Sequence, residues 1–247
     1  SVITGNRRDF ALGSVVDVRA GETVTAPTLA LFHPDAIWEP RSPSWSSDGS
    51  TLTYAYGFNS LFGIDAEPEP LDFGASLLAE EVEGAPNIVL FLARGPTSET
   101  ANQILHQGSL LDSSEGIWIT AEGSGILDEP LVTYDVFSTI NGLAWLPDGS
   151  GFAYSVSGGD VMSADKTGDL IVFDVASGQA QSVADLEGDF AGLVSVSGDG
   201  SSIVFERSDE LDSLDETLVD PDLWIVGRDG SGLRLLVEHA RAPAWSR

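Results

Sequence analysis

The sequence contains no cysteine, one methionine, three histidines and, among its 11 basic residues, a single lysine at Lys166. The lack of cysteine excludes disulfides, thiolate metal sites and thiol nucleophiles. No apolar run reaches the roughly 18 residues of a membrane-crossing helix, so membrane insertion is not expected. Basic residues are scarce against 39 Asp and Glu, giving a formal net charge of −28. A surface of that sign repels phosphate backbones and anionic headgroups, which argues against nucleic acid as a partner and favours cations or proteins. What is present in quantity is core-forming material, with 42% hydrophobic and 9% aromatic residues. That is enough to bury a continuous core.

The apolar residues are arranged as a repeat of about fifty residues, the period of a stacked or circular all-β array. Its first landmark is a strand leading into a tight turn: Pro43-Ser44-Trp45-Ser46-Ser47-Asp48-Gly49-Ser50, Leu143-Ala144-Trp145-Leu146-Pro147-Asp148-Gly149-Ser150, Val194-Ser195-Val196-Ser197-Gly198-Asp199-Gly200-Ser201, and the terminal Ala242-Pro243-Ala244-Trp245-Ser246. The interval from Trp45 to Trp145 is about twice that from Trp145 to Val196, so one copy is eroded. Its expected position is Gly84-Ala85-Pro86-Asn87, with Ile88-Val89-Leu90-Phe91 taken as the strand after the turn. In the intact copies that second strand is alternating and β-branched or aromatic, as in Phe152-Ala153-Tyr154-Ser155-Val156 and Ile203-Val204-Phe205. The second landmark is an outer hairpin. Val16 to Glu22 matches Phe173 to Gln179, and Ile117-Trp118-Ile119 matches Leu223-Trp224-Ile225, each of the latter leading to Gly-Ser-Gly.

A strand-turn-strand unit repeated in this way predicts an all-β fold of four-stranded antiparallel blades, a β-propeller. The expected organisation is a single domain over 1–247 with five blades, six being the alternative. Blades are expected near 43–80, 81–142, 143–190 and 191–241, and a closing blade is formed by 242–247 together with 1–42. Sharing one blade between the two ends would remove open sheet edges.

At these residues the chain resembles the TolB-type β-propeller repeat family, whose repeat has a Trp-Ser-Pro-Asp-Gly turn, a Leu-Trp strand and an Asp-Gly-Ser-Gly turn. The match is best from Asp222-Leu223-Trp224 through Trp245-Ser246 and weakest between Phe62 and Gly108. The resemblance implies scaffolds, periplasmic partner-binding proteins or propeller domains of larger hydrolases alike.

Most conspicuous residues fit structural roles. Asp48, Asp148, Asp199 and Asp229 precede glycine in turns, where a short carboxylate accepts nearby backbone N–H groups. Trp45, Trp118, Trp145, Trp224 and Trp245 recur in register and are expected to pack between blades. His33, His106 and His239 show no metal-ligand spacing, and no nucleophile elbow or phosphate-binding loop is present. The turns between first and second and between third and fourth strands are short. The loops joining second to third strands are expected to be long, at 94–115, 157–167 and 207–221, and to share one face. Binding residues concentrate in such loops, which nominates Arg94, His106, Asp160, Asp165 and Arg207. In the last loop Asp209, Asp212, Asp215 and Asp220, with Glu210, Glu216 and Asp222, supply hard oxygen ligands suited to Ca²⁺, the one cofactor the sequence suggests. The spacing is not that of an EF-hand loop, and an acidic solvent-facing loop is the alternative.

These features lead to a non-catalytic extracytoplasmic propeller, periplasmic or extracellular, that binds a protein partner or assembles with its own copies through the long-loop face. One alternative is a carbohydrate-active propeller enzyme using channel-mouth carboxylates drawn from Asp65, Glu115, Asp160 and Asp209. The other is the propeller domain of a larger hydrolase.

Overall fold

The structure, a computed structural model, describes residues 14–17, 22–25, 41–45, 51–55, 61–65, 74–79, 88–109, 115–121, 130–134, 137–158, 167–211 and 218–245, with side-chain surroundings from residue 93 onward. Every regular element among them is a strand. β1 (Ser14–Asp17) and β2 (Glu22–Thr25) form a hairpin at the predicted Val16 position. β3 (Arg41–Trp45), β4 (Thr51–Ala55), β5 (Leu61–Asp65) and β6 (Gly74–Ala79) form a four-stranded sheet. A second contains β7 (Ile88–Arg94), β8 (Gln103–Ser109), β9 (Glu115–Ala121) and β10 (Val132–Tyr134). A third contains β11 (Ser138–Trp145), β12 (Gly151–Gly158), β13 (Thr167–Asp174) and β14 (Gln179–Asp185). The fourth contains β15 (Phe190–Val196), β16 (Ser202–Ser208), β17 (Asp222–Gly227) and β18 (Arg234–Val237). Each is a meander in chain order, as propeller blades are.

The turns form for the predicted reason. Asp148 Oδ1 accepts the Ser150 amide at 2.9 Å and its hydroxyl at 2.6 Å. Asp199 does the same with Ser201 at 3.0 and 2.8 Å, and Asp229 with Ser231 at 3.0 and 2.6 Å. Gly200 stands at φ +71°, a left-handed conformation that a side chain would strain. The short carboxylate and the glycine together close the turn.

Once the strands are set, alternation decides which residues are buried. The third and fourth sheets share a core that includes Leu146, Leu170, Ile203, Phe205 and Val226, with Trp224 packed against it. Inner strands come so close that a Cβ on Gly142 would lie 2.7 Å from the Gly192 carbonyl oxygen. Trp118 and Trp145 are buried as expected, but Trp245 is 39% exposed. Its indole N–H reaches the Ser195 carbonyl at 3.3 Å. Phe152 stacks on Phe173 with centroids 4.9 Å apart, and Tyr154 meets Tyr134 through their hydroxyls at 3.1 Å.

The second sheet corrects the expected register. Residues 88–91 do not form a second strand: β7 is the end strand of its sheet, paired with β8 alone, and so takes the first-strand position. Residues 94–115, expected as a long loop, contain β8 and the start of β9. The short turn is at 95–102 and uses no Asp-Gly pair. Instead the Thr97 and Thr100 hydroxyls meet at 2.9 Å, and Gly95 N–H bonds to Gln103 O at 2.9 Å.

By internal contacts the chain divides into two compact units. One comprises Ser1–Gly95, Ala101–Leu111 and Trp118–Glu129; the other comprises Pro96–Thr100, Asp112–Ile117 and Pro130–Arg247.

Candidate functional site

Arg94 and His106, expected on an exposed loop, are buried strand residues with 7% and 0% exposure. The His106 ring stacks on Trp118 with centroids 5.7 Å apart, and its Nε2 lies 2.8 Å from the Thr120 hydroxyl. Its Nδ1 meets no hydrogen-bonding partner among the described residues. Burial without a compensating anion lowers its pKa to about 3, so it is neutral through the physiological range. This is a packed imidazole and not a solvent-facing binding group.

Arg207 lies at the end of β16. Its guanidinium bonds to Asp189 at 2.5 Å and sits 4.5 Å from the Trp224 ring centroid. These contacts fix one edge of the blade. Glu115, nominated as a channel-mouth acid, is buried on β9 and accepts the Ile140 amide at 2.6 Å. That is a strand-to-strand clasp, and it removes Glu115 as an accessible acid. Asp160 and Asp165 lie outside the described residues, as does the side chain of Asp65.

The acidic loop is pinched at its base. Leu211 bridges Leu218, and the Ser208 hydroxyl donates to Val219 O at 2.5 Å. Asp220 adopts φ 43° and bonds the His239 ring at 2.7 Å, while Asp222 accepts the His239 amide at 3.0 Å. Asp209 is exposed; Asp212, Asp215 and Glu216 lie outside the described residues. Among the described residues no group of three or more His, Asp or Glu side chains is placed to hold a metal ion.

The groove that the structure does describe lies on the other end of the strands. Two short turns lie there, and a cavity of about 660 Å³ opens between β14 and the β16–β17–β18 end of the fourth sheet. Its lining includes Ile225 and Val226 of β17 and the polar residues Gln181, Ser201, Arg228, Asp229 and Arg234. Arg228 reaches across to the neighbouring turn, donating to Asp148 and to the Ser150 hydroxyl, each at 3.1 Å. The Ser150 hydroxyl foremost, with smaller contributions from its amide and Arg228, holds the Asp148 carboxyl below the usual range. Asp199 is lowered to about 2 by the Ser197 hydroxyl and the Ser201 turn. Arg234 is exposed and forms no ion pair with a described residue. The groove carries no long-loop signal in the sequence because its walls are turns. The signal that points to it is the placement of two arginines beside one turn in a chain with so few cations.

No protein-family model matches the chain, and no curated protein sequence matches it. Solved structures share its fold. A TolB-assigned protein from Agrobacterium tumefaciens superposes with a TM-score of 0.64 at 15% identity, covering 91% of this chain and 69% of that one. An oligogalacturonate lyase in complex with manganese gives 0.60 at 14% identity, covering 92% and 60%. TolB from Acinetobacter baumannii gives 0.50 at 12% identity, covering 91% and 48%. The chain thus spans less than two thirds of the lyase and about half of the latter TolB. It has a TolB-like propeller fold. The non-catalytic scaffold expected from the repeat is overturned, because an enzyme shares the fold at nearly the same score. No helix among the described residues is long and apolar enough to cross a membrane.

Proposed function

We propose that the protein is a polypeptide-binding propeller module whose recognition site is the groove between β14 and the fourth sheet. The observation that carries this reading is a recess of about 660 Å³ walled by short turns and strand ends, with the exposed Arg234 guanidinium on its lining. Among the described residues no aromatic ring lines the recess, so they offer no stacking platform for a sugar ring. An extended peptide needs none.

The proposal extends to the architecture: one domain over 1–247 with five blades, closed by 242–247 and 1–42. Support comes from the way a second strand holds the next inner strand. On β12, Ser155 and Ser157 donate to the Gly192 and Ala191 carbonyls of β15 at 2.6 and 3.3 Å. On β16, Glu206 accepts the Ala242 amide at 2.7 Å, which gives 242–245 the same relation to β16 that β15 has to β12. We assign the protein to the periplasm or the cell exterior on its resemblance to TolB-type repeats.

The test is a photo-crosslinking residue introduced at position 181 in the groove, with position 187 on an exposed turn as control, in the native cell. A defined protein adduct at 181 and none at 187 is expected, with the adducted peptide mapped by mass spectrometry. Adducts of equal yield at both positions, or none at 181, would overturn the groove as a recognition site.

A further inference from the structure

We infer that the groove reads a single carboxylate on an extended partner segment, with the segment's neighbouring apolar residues lying along the strip beginning at Leu233. The inference rests on the groove being the recognition site.

The two arginines of the groove differ in what they have left to offer. Arg228 is committed, its two terminal nitrogens bonded to Asp148 and Ser150 at 3.1 Å. Arg234 is exposed on β18 and meets no acidic partner among the described residues. A guanidinium is a planar fork that matches a carboxylate through two parallel hydrogen bonds, and charge-assisted bonds are about twice as strong as neutral ones. The Gln181 amide on the same lining adds a neutral donor, whereas the Ser201 hydroxyl is committed to Asp199 at 2.8 Å. One carboxylate therefore satisfies the groove's available cation.

Next to Arg234 the chain exposes Leu233, Leu235, Leu236 and Val237, at 38%, 39%, 43% and 47%. Four consecutive large apolar side chains interrupted by one arginine are unusual on a chain of net charge −28. No further described strand pairs with β18 beyond β17. The complement of this strip is an extended segment bearing one acidic group and apolar neighbours, the mode in which strands are recognised along an exposed edge. Net charge limits the ligand in the other direction. Each added anion on a ligand meets the repulsion of the whole surface, while among the described lining residues one uncommitted guanidinium rewards it. A polyuronate is disfavoured for that reason.

The experiment is calorimetric titration of the full chain with acetyl-Glu-Val-Leu-Val-amide, its Gln counterpart and trigalacturonate, repeated with Arg234→Gln. Circular dichroism verifies that the variant is folded. The Glu peptide is expected to bind at least about tenfold tighter than the Gln peptide, and Arg234→Gln to erase that difference while Gln-peptide affinity persists. Equal affinities of the unmodified chain for both peptides, or binding of neither, overturn the carboxylate inference. A specific adduct at position 181 would still uphold the groove in either case. Tighter binding of trigalacturonate than of either peptide overturns the peptide assignment. A dimer in sedimentation that Arg234→Glu dissociates reassigns the strip to a second copy and also overturns the proposal.

Discussion

β8 and β12 are both second strands buried on their two faces, yet they admit polar groups by different rules. On β12, Ser155 and Ser157 are short hydroxyls that donate directly to the carbonyls of the next inner strand. On β8, His106 turns instead to Thr120 within its own sheet and stacks on Trp118. The topology fixes the slot, and the chemistry that fills it decides how the sheet responds to conditions. A serine clasp has no charge to gain. An imidazole does, and remains neutral only while the surroundings hold its pKa down.

The comparison breaks most sharply where no polar group is involved. Phe205 on β16 is fully buried in the core shared by the third and fourth sheets. Phe205→Ala should cost about 3–5 kcal/mol in urea unfolding through lost transfer energy and a residual cavity. A loss near that of a surface substitution would mean the two sheets do not share a cooperative core.

The next effect separates β8 from β12 by pH. Unfolded His106 takes a proton below its ordinary pKa of 6.5, whereas in the fold it resists protonation down to about 3. Folding is therefore progressively penalised as pH falls through that window, and the full contribution is present above it. Between pH 7 and pH 4.5 the group should remove about 3 kcal/mol of stability, at 1.36 kcal/mol per pKa unit. His106→Gln should flatten that part of the curve relative to the unmodified protein. Parallel curves for the two would show that His106 is not the group responsible.

Ser155→Ala should cost about 1–2 kcal/mol, because the Gly192 carbonyl loses its 2.6 Å donor in a buried site. That loss should be independent of pH between 4.5 and 7, and a pH-dependent cost would erase the distinction between the strands. Arg228→Ala, at a pair with exposed side chains, should change stability by less than about 1 kcal/mol. Raised salt should reduce even that difference.

The intact turns were legible because their function is local: in Asp148-Gly149-Ser150 the carboxylate and its two donors are adjacent in sequence. The turn after β7 was not, since Thr97 and Thr100 perform the closure and carry no distinctive residue pair. A reading of Gly95-Pro96-Thr97-Ser98 as turn chemistry would have placed β7 first in its sheet. From sequence Arg207 reads as a loop residue because the acidic tract begins just after it, whereas it lies at the end of β16 and pairs with Asp189, just before the adjoining strand β15. A cross-strand partner of this kind leaves no local trace. The groove leaves no long-loop signal in the sequence for a related reason: its parts come from β14, two turns, β17 and β18, and only their packing makes a recess.

Tyr134 and Tyr154 face each other across neighbouring sheets, and burial raises the pKa of both phenols. The chain has four tyrosines, so phenolate absorbance in alkali has few contributors. Two of them can ionise readily only when the seam between their sheets parts. Their delayed appearance after a jump to high pH would serve as a clock for that opening, read without any added label.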